Sequence, residues 1–457
     1  MNRSLRTLSV ALASIAIVAA CGGGGSPAPA GSPAGSTAPG SSTASVAPAE
    51  STGAGSSGAA AGSTINVTSL WGGSEETAFK TVLDAFKAKT GVTANYVAQR
   101  TDYATVLRTS IQGGNPPDVA IMPGIGFLRS FAKDGSIKDF ASLGIDTSAL
   151  AANYAPGILE VGQVDGKQYG LMVKFNSKST VFYRPDVFKT AGVTAEPKTW
   201  DEFKATIDTL KGKSIKPLGL GAKDSWTLTD WFESIYIRQA GPDAYSKLFS
   251  VDGDWTDPTV AKAMETMKEV LTEDNVVGGI NGALAVDFTG GIGQVFKPTP
   301  DASMYYEGGF VYGIATGDTN KDLKWGETIQ WFDFPTFGNP GGVTIGGDVI
   351  AALTDKPGVK DFLEYMATVD AGTTWAKTGI IISPIKGVDA SVYPNESAKK
   401  EAAQVANAAA VRFDGQDLLP AGGPDFGAML QSVVKGDDIA GLVGTFNTAQ
   451  KAAWAAE

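Results

Sequence analysis

The fold is decided by residues 64–122, which read TINVTSLWGGSEETAFKTVLDAFKAKTGVTANYVAQRTDYATVLRTSIQGGNPPDVAIM. Residues 64–70 alternate like a strand, and apolar side chains then recur at helical spacing. A second strand fits residues 94–99, a second helix fits 103–112, and a buried strand fits 118–122. Strands that alternate with helices in this rhythm predict a parallel sheet covered by helices.

The rest of the chain predicts a second α/β region. Thr199 and Glu202 form a capping-box pattern at the start of a helix, and Asp257-Pro258 is typical of another helix start. Helices dominate after residue 359. We therefore expect an α/β protein of two lobes with helices added near its end. The further predicted elements are strands at 168–176, 180–184, 330–334 and 343–353 and helices at 200–211 and 425–434.

The N-terminal region predicts an export signal and a tether. Residues 1–20 combine two arginines, an apolar run and small residues before Cys21, which is the pattern of a secretory signal peptide. The residues around Cys21 resemble a bacterial lipobox, so we expect this cysteine to be lipidated; ordinary cleavage near Ala20 is the alternative. Of residues 22–63, 40 of 42 are Gly, Ala, Ser, Pro or Thr, which predicts a disordered tether over 21–63.

The composition of the 457 residues excludes several kinds of chemistry. The chain has no His and one Cys, so histidine-based nucleophile pairs, histidine zinc sites and intrachain disulfides cannot form within it. Its 48 acidic and 37 basic residues give a net charge of −11, which argues against a nucleic-acid partner. Carboxylate chemistry, or binding without chemistry, remains.

Aromatic residues beside glycines and short polar residues point to a carbohydrate ligand. Trp71 precedes two glycines, Trp226 and Trp231 flank Asp230, and an aromatic segment covers 305–310. A flat ring covers the C–H face of a sugar, while Asp, Glu, Asn, Arg and Lys bind its hydroxyl groups. Among 48 acids, a hydrolytic carboxylate pair could always be nominated, but sequence does not give the separation that such a pair needs.

Six short motifs resemble one family in order along the chain. They are similar to motifs of family 1 extracellular solute-binding proteins, the sugar-capturing subunits of bacterial ABC importers related to maltose-binding protein, and three of them to its α-glucoside branch. The resemblance covers about residues 64–457. The general motifs are Gly114-Asn115-Pro116-Pro117-Asp118-Val119, Pro197–Glu202 and Gly379–Pro384, and the α-glucoside motifs are Trp71–Glu76, Thr229-Asp230-Trp231 and Arg412-Phe413-Asp414 with Asp417.

The resemblance implies a two-lobed fold of the periplasmic-binding-protein type. Each lobe would be a mainly parallel sheet flanked by helices, and hinge crossings would join the lobes. The first lobe would comprise 64–173 and 336–393, and the second lobe 177–331 and 398–457. The expected crossings are Met172–Asn176, Phe332–Phe337 and Tyr393–Lys399.

The resemblance also implies ligand-binding residues in a cleft between the lobes, with no catalytic residue, metal or cofactor. Trp71, Ser74 and Asp118 would lie at strand ends of the first lobe, with Trp375 left to helix packing. The full expected set is Trp71, Ser74, Asp118, Lys174, Asn176, Asp230, Trp231, Tyr305, Glu307, Asp348, Arg412 and Asp414.

The implied function is the capture of an α-glucoside or related oligosaccharide and its delivery to a permease. Hinge closure would trap the sugar, and the lipid on Cys21 would anchor a monomer to the outer face of the cytoplasmic membrane. Three alternatives stay open. They are a receptor for a different polar solute, a lipid-anchored glycoside hydrolase, and an adhesion or sensor module without an importer.

Overall fold

Two β-sheets form the framework of the structure. The computed structural model describes residues 62–154, 158–338 and 341–457, which lie in one compact unit. The strands are β1 (Thr64–Ser69), β2 (Thr93–Ala98), β3 (Val119–Met122), β4 (Gln163–Val164), β5 (Lys167–Gln168), β6 (Gly170–Ser177), β7 (Thr180–Tyr183), β8 (Lys216–Leu218), β9 (Ala302–Glu307), β10 (Gln330–Asp333), β11 (Val343–Ala352) and β12 (Val411–Phe413).

Helices cover both faces of each large sheet, and short turns connect them. A π-helical turn spans Ala315–Thr319, and 3₁₀ turns span Glu160–Gly162 and Ala390–Val392. The α-helices are α1 (Ser74–Thr90), α2 (Tyr103–Gln112), α3 (Ile125–Lys133), α4 (Thr147–Ala151), α5 (Pro185–Ala191), α6 (Trp200–Lys211), α7 (Trp226–Gln239), α8 (Pro242–Leu248), α9 (Pro258–Val270), α10 (Gly279–Ala283), α11 (Phe288–Phe296), α12 (Val311–Ile314), α13 (Val359–Met366), α14 (Val369–Ala376), α15 (Glu396–Ala406), α16 (Gly415–Leu418), α17 (Phe426–Lys435) and α18 (Ile439–Ala456).

The first sheet has the order β2-β1-β3-β11, and we call the part of the chain built around it the first lobe. Strands β1, β2 and β3 run parallel, as the sequence predicts, and β11 runs antiparallel to β3. Along its other edge β11 pairs with β6 over most of its length. The beginning of β11 also pairs with β12, although the sequence analysis assigns 398–457 to the second lobe.

The second sheet has the order β10-β7-β9-β8, and the part of the chain built around it is the second lobe. Here the expectation of a mainly parallel sheet is wrong. Strand β7 is antiparallel to both β10 and β9, and only β8 and β9 are parallel. The reason is the path of the chain: β7 leads away from the first sheet and β10 leads back toward it, so these neighbours run in opposite directions.

The chain passes between the two sheets close to the expected crossings. The first crossing is Lys178–Ser179, just after the expected 172–176, because β6 stays in the first sheet through Ser177. The second lies between β10 and β11 and overlaps the expected 332–337. The third expected segment leads into α15, which packs against both β6 and β10.

Each face of each sheet has its own apolar cluster. In the first lobe α1 buries Phe79 and Val82 on one face, and α3 buries Leu128 and Phe131 on the other. In the second lobe α6, α7 and α9 cover one face of the sheet, while α11 and α12 cover the other. The two lobes therefore carry separate cores, which lets the crossing strands act as the connection between them.

Several local predictions match the structure in detail. Helix α6 has the expected bounds, and Thr199 and Glu202 form the expected capping box. Asp257 accepts a hydrogen bond from the Thr259 N–H at the start of α9. Trp375 is buried against Trp71, as expected for helix packing.

The predictions for the N-terminal region lie largely outside the described residues. Residues 1–61, including the signal peptide, Cys21 and most of the tether, are among those not described. The sequence analysis assigns Gly62 and Ser63 to the tether, but Gly62 N–H donates to the Gly91 carbonyl and the Ser63 carbonyl accepts from the Thr93 N–H, so both residues belong to the folded body. Within the described ranges, no helix is both long enough and apolar enough to cross a membrane.

Candidate functional site

A cavity of about 400 Å³ lies where the carboxyl ends of β1, β2 and β3 face the second lobe. The loops after these three strands form one wall, β6 and β11 form the floor, and the second lobe forms the other wall. The lining residues are Leu70, Trp71, Gly72, Glu75, Arg100, Pro123, Phe127, Lys174, Asn176, Lys178, Asp224, Trp226, Phe288, Phe310, Gly346, Gly347, Asp348, Asp414, Gln416 and Asp417.

The floor is built from alternate residues of β6. Side chains two residues apart on a strand point to the same face, so Lys174, Asn176 and Lys178 all reach the cavity. On the neighbouring β11, a side chain at Gly346 would lie only 2.5 Å from Lys178 Cε, and one at Gly347 only 2.8 Å from the Lys174 carbonyl oxygen. Gly346 therefore leaves the space that the Lys178 side chain crosses, and Gly347 allows the close approach of the β6 backbone.

Lys174 is the centre of the polar cluster on the first-lobe side. Its Nζ lies 2.8 Å from Glu75 Oε1 and 3.2 Å from Asp348 Oδ2, and 4.6 Å from the centre of the Trp71 ring. Trp71 Nε1 donates to Asp348 Oδ2 at 3.2 Å. Burial by itself would lower the pKa of Lys174, but Glu75 and Asp348 raise it above its ordinary value. Lys174 is therefore a cation whose charge is already balanced.

Lys178 is the centre of the polar cluster on the second-lobe side. Its Nζ lies 3.1 Å from Asp230 Oδ1 and is ion-paired with Asp414 Oδ2. Burial opposes the charge, but Asp230, Asp414, Asp417 and Glu307 raise the pKa of Lys178 well above its ordinary value. One buried ammonium thus forms ion pairs with two carboxylates and interacts electrostatically with two more.

The carboxyl groups around Lys178 are not all satisfied. Burial raises the pKa of Asp230 to about 7 against the opposing effect of Lys178. Burial and the nearby Asp230 raise the pKa of Glu307 well above its usual range, and burial with Asp414 does the same for Asp417. Among the described residues, no N–H or hydroxyl donor reaches the buried Asp230 Oδ2 and Glu307 Oε1, and the two carboxyl groups contact each other. Protonated forms are therefore favoured in this cluster.

Glu233 on α7 holds the turn that carries Asp414 and Asp417. Its carboxylate accepts from the N–H groups of Gly415 at 2.8 Å and Gln416 at 3.0 Å, and from the Tyr245 hydroxyl at 2.5 Å. Asp230, Glu233 and Asp414 each place an oxygen within 4.8 Å of the others, a spacing that could hold a metal ion. Lys178 already bridges Asp230 and Asp414, and Glu233 accepts hydrogen bonds from three donors. The carboxylate oxygens are therefore already bonded to groups of the protein and are not free to bind a metal ion.

Three half-buried aromatic rings form the apolar part of the second-lobe wall. The Trp226 ring centre lies 5.2 Å from that of Phe288 and 6.1 Å from that of Phe310. Lys178 Nζ lies 5.2 Å from the centre of the Trp226 ring. Asp224 accepts from the Phe288 N–H at 2.9 Å and so fixes the start of α11. An aromatic surface beside hydrogen-bonding groups suits a ligand with one flat apolar face and polar edges.

Glu401 on α15 supports the floor from behind. Its Oε1 accepts from the Ser177 N–H at 2.7 Å and from Asn176 Nδ2 at 3.2 Å, and Asn176 Nδ2 also donates to the Ile380 carbonyl at 3.3 Å. Burial raises the pKa of Glu401 to about 8. Because both bonds of the Asn176 NH₂ group point away from the cavity, its side-chain oxygen remains as an acceptor there.

Five of the twelve expected site residues line the cavity: Trp71, Lys174, Asn176, Asp348 and Asp414. Three others lie directly behind the second-lobe wall. Asp230 and Glu307 belong to the buried cluster around Lys178. The Tyr305 hydroxyl donates to the Phe288 carbonyl at 3.0 Å, so Tyr305 supports the aromatic wall without lining it.

The placement of Asp118 at the cleft is wrong. Asp118 precedes β3, so it lies at the amino end of the parallel strands, whereas the cavity lies at their carboxyl ends. Its carboxylate accepts from the Asn66 N–H at 2.8 Å and the Thr354 hydroxyl at 2.9 Å, and pairs with Lys356 at 3.2 Å. These bonds tie β1 to the segment after β11, which is a structural role.

Trp231, Arg412 and Ser74 also lie away from the cavity. Trp231 is buried in the second-lobe core against Tyr306, because it occupies the inward side of α7. Arg412 points to the side of β12 opposite Val411 and Phe413 and pairs with Asp243 at 3.4 Å. The Ser74 hydroxyl donates to Asp318 Oδ2 at 3.0 Å at the rim of the cleft.

Some of the cavity residues missed by the site prediction carry a signal in the sequence. Lys178 follows Lys174 and Asn176 at the same two-residue spacing. Trp226 stands with Asp230 four residues later on one side of α7, a helical spacing that separates it from Trp231. Phe288 and Arg100 have no comparable signal, because only the fold brings them to the wall.

The comparisons with known proteins concern the family and the fold. The model of the bacterial extracellular solute-binding protein family matches residues 72–373. The alpha-glucosides-binding periplasmic protein AglE of Rhizobium meliloti is 30% identical over 379 residues, which cover 79% of this chain and 80% of that protein. The osmoprotective compounds-binding protein GgtB of Synechocystis is 27% identical over 365 residues, which cover 78% of this chain and 84% of that protein.

The solved structures support the fold. A chitin oligosaccharide binding protein superposes with a TM-score of 0.72 at 22% identity, covering 86% of this chain and 99% of its own. At this identity the likeness concerns the fold. Together with the family match over most of the described body, these findings show that the chain belongs to the bacterial extracellular solute-binding protein family.

Proposed function

We propose that this chain captures an α-glucoside or a related neutral oligosaccharide in the cavity between its lobes and delivers it to the permease of an ABC importer. The observation that carries the proposal is the cavity itself. It combines an aromatic wall from one lobe with hydrogen-bonding groups from both lobes and from the strands that cross between them. The names of the two curated relatives support a glucoside or a related osmoprotective compound as the ligand class.

The charges of the lining favour a neutral ligand over an anionic solute. Both lysines are already paired with carboxylates, which leaves Arg100 as the cation of the lining without an ion pair among the described residues. Sugar hydroxyl groups donate to carboxylates and accept from ammonium groups, whereas a phosphate or carboxylate ligand would face mainly acceptors. The lining carboxylates are Glu75, Asp224, Asp348, Asp414 and Asp417.

The mechanism is ligand-stabilised closure. Because each lobe supplies one wall, the full set of ligand contacts forms only when the lobes are together. A sugar then shifts the equilibrium toward the closed form by the difference between its affinities for the closed and open forms. The closed form docks on the permease, and reopening there releases the sugar unaltered. Catalysis has no part in this mechanism.

The N-terminal region completes the proposal. A lipid on Cys21 anchors the protein at the outer face of the cytoplasmic membrane, and residues 22–61 connect the anchor to the folded body as a tether. Several acyl chains on one cysteine give stable attachment, where a single chain is marginal. The protein works as a monomer in this arrangement.

Calorimetry with maltose, trehalose and sucrose tests the ligand class, with glucose release followed in the same samples. We expect one-to-one binding of at least one disaccharide without cleavage. Asp348→Asn should weaken that binding at least tenfold, since it disturbs the Lys174 cluster. Asp118→Asn is the matched control at the opposite end of the strands and should leave the affinity within twofold. Absence of binding, or steady release of glucose, would contradict the proposal.

A further inference from the structure

Asp230 and Glu307 contact each other within the buried cluster around Lys178. Asp230 Oδ1 lies 3.1 Å from Lys178 Nζ, and Glu307 Oε2 accepts from the Gly308 N–H at 3.3 Å. The other oxygen of each carboxyl group, Asp230 Oδ2 or Glu307 Oε1, receives no donor from elsewhere in the described part of the chain. Each residue therefore has one oxygen left for contact with the other. We call these two residues the acid pair.

The acid pair is built to hold one proton between its two carboxyl groups. Both residues are almost fully enclosed, and two ionised carboxylates in contact repel each other strongly where water does not screen them. A proton shared between Asp230 Oδ2 and Glu307 Oε1 removes this repulsion and gives both oxygens a hydrogen-bond partner. Burial raises the pKa of Asp230 to about 7, which indicates that the proton exchanges with solvent near neutral pH.

The groups around the acid pair do not replace this proton. The ammonium of Lys178 is shared with Asp414, and the hydroxyls of Tyr305 and Tyr306 bond to backbone carbonyls, at 3.0 Å to Phe288 and 2.7 Å to Lys178. The surroundings therefore carry more negative than positive charge. The titratable and charged groups that face the pair are Lys178 after β6, Glu233 on α7, Tyr305 and Tyr306 on β9, and Asp414 and Asp417 at α16.

The same cluster reaches the cavity, so the acid pair responds to what occupies it. Lys178, Asp414 and Asp417 line the cavity, and the acid pair lies directly behind them. Water that enters an open cleft solvates these three groups and screens the negative charge of the cluster. A neutral ligand that covers them displaces this water. The electrostatic cost of ionising the second member of the pair then rises, because less solvent remains to stabilise the added charge.

We propose that capture of a neutral ligand in the cavity is coupled to the uptake of a proton by the acid pair. This inference rests on the proposed function and adds its pH dependence. Because the coupling is reciprocal, protonation of the pair strengthens ligand binding by the same factor by which the ligand favours protonation. The affinity is therefore highest at a pH below the pKa of the pair in the ligand-free protein. It falls as the pH rises through the pKa of the pair in the complex.

The test is calorimetry of the full chain with maltose, trehalose and sucrose in phosphate and in Tris, two buffers with different enthalpies of ionisation. We expect an uptake of about half a proton per bound sugar at pH 7, and an affinity about threefold to tenfold weaker at pH 8 than at pH 6. A binding enthalpy that is the same in both buffers, or the release of protons, overturns the coupling but leaves the receptor function standing. Absence of binding by every sugar overturns both proposals.

A variant that imitates the protonated pair assigns the proton to its site. Glu307→Gln supplies an amide N–H to the free oxygen of Asp230, so the proton uptake should disappear. At pH 8 this variant should bind the sugar about threefold more tightly than the unmodified chain. Asp118→Asn changes a buried carboxylate at the opposite end of the strands and is the matched control, which should keep the uptake. Glu401→Gln, at the other buried acid near the floor, should also keep it. Uptake that persists in Glu307→Gln or disappears in Glu401→Gln would overturn the assignment.

Discussion

Lys174 on β6 and Lys178 just after the end of β6 lie four residues apart, and each ammonium bridges two carboxylates, yet their surroundings differ. The partners of Lys174 retain some exposure, 21% for Glu75 and 13% for Asp348. The partners of Lys178 are almost fully enclosed, with 0% exposure for Asp230 and 2% for Asp414. The carboxylates paired with Lys174 are therefore partly exposed and those paired with Lys178 are enclosed, although the lysine side chains themselves are similarly buried, at 8% and 13% exposure.

The difference in exposure between the two carboxylate clusters implies that the two walls of the cavity contribute differently to binding. The first-lobe cluster has two carboxylates for one ammonium and is held by the Trp71 N–H, so it offers a settled set of donors and acceptors. The second-lobe cluster has four carboxyl groups for one ammonium, and Asp230 Oδ2 and Glu307 Oε1 are buried there without a donor from outside the cluster. Buried polar atoms without partners are costly, so this wall gains most when its groups are compensated.

The largest effect should come from removing each lysine in turn. Lys178→Met leaves several buried carboxyl groups without their cation, and we expect the free energy of unfolding to fall by about 3–5 kcal/mol. Lys174→Met should cost about 1–3 kcal/mol, because water can still reach its partners. Urea unfolding at pH 7 measures both values. Equal decreases in the free energy of unfolding for the two variants would show that the two clusters do not differ in their contribution to stability.

The aromatic wall should show its role in affinity more than in stability. Trp226→Ala removes the central ring of the second-lobe wall, and we expect disaccharide binding to weaken at least tenfold, or about 1.4 kcal/mol. Trp231→Phe changes a buried ring of the same helix and serves as the control. It should lower the free energy of unfolding and leave affinity within twofold. Calorimetry and urea unfolding separate the two outcomes.

The smallest effect concerns pH and should belong to the second-lobe cluster. The pKa of Asp230, raised from 3.8 to about 7 by burial, means that the fold favours its protonated form. The corresponding stability is complete below about pH 3.8 and is lost as the pH rises through about 7. Lys178, Glu307 and Asp414 surround this carboxyl group.

We therefore expect the free energy of unfolding to fall by about 1 kcal/mol between pH 6 and pH 8 because of Asp230. Asp230→Asn should reduce this fall. Glu401, whose pKa is raised from 4.5 to about 8 by burial, should add to the fall over the same range, because its contribution to stability is also lost as the pH rises through about 8; Glu401→Gln removes that part. Unfolding curves at pH 6, 7, 8 and 9 test both variants. An unchanged pH dependence in Asp230→Asn would show that another group titrates.

The sequence predicts the fold better than the site. The spacing of apolar residues indicates which positions are buried, but it does not indicate whether a polar side chain points into the cavity. The spacing of apolar residues places α1 and α6, and the order of strands and helices predicts the parallel part of the first sheet. The motif that contains Asp118 correctly marks a strand, but a motif does not say which end of the strand faces the cavity. The antiparallel pairs of the second sheet depend on the path of the chain between lobes, which no local pattern carries.

Site residues fail for a related reason. Trp231 follows Asp230, which lies behind the second-lobe wall, and Arg412 precedes Asp414, which lines the cavity. A shift of one or two positions nevertheless places the Trp231 side chain in the core and the Arg412 side chain on the outer surface. Phe288 and Arg100 reach the cavity only through tertiary contacts. The two-residue spacing of Lys174, Asn176 and Lys178 is the part of the floor that the sequence itself encodes.

The position of Trp226 at the cavity makes its fluorescence sensitive to a bound molecule. Its indole is half-buried and shares a surface with the cavity, whereas Trp231, Trp255 and Trp331 are almost fully enclosed. A molecule that covers this indole displaces water from it, so the emission of the protein should move to shorter wavelength on occupancy. The chain thus carries a built-in optical reporter, which follows capture and release in real time without a dye.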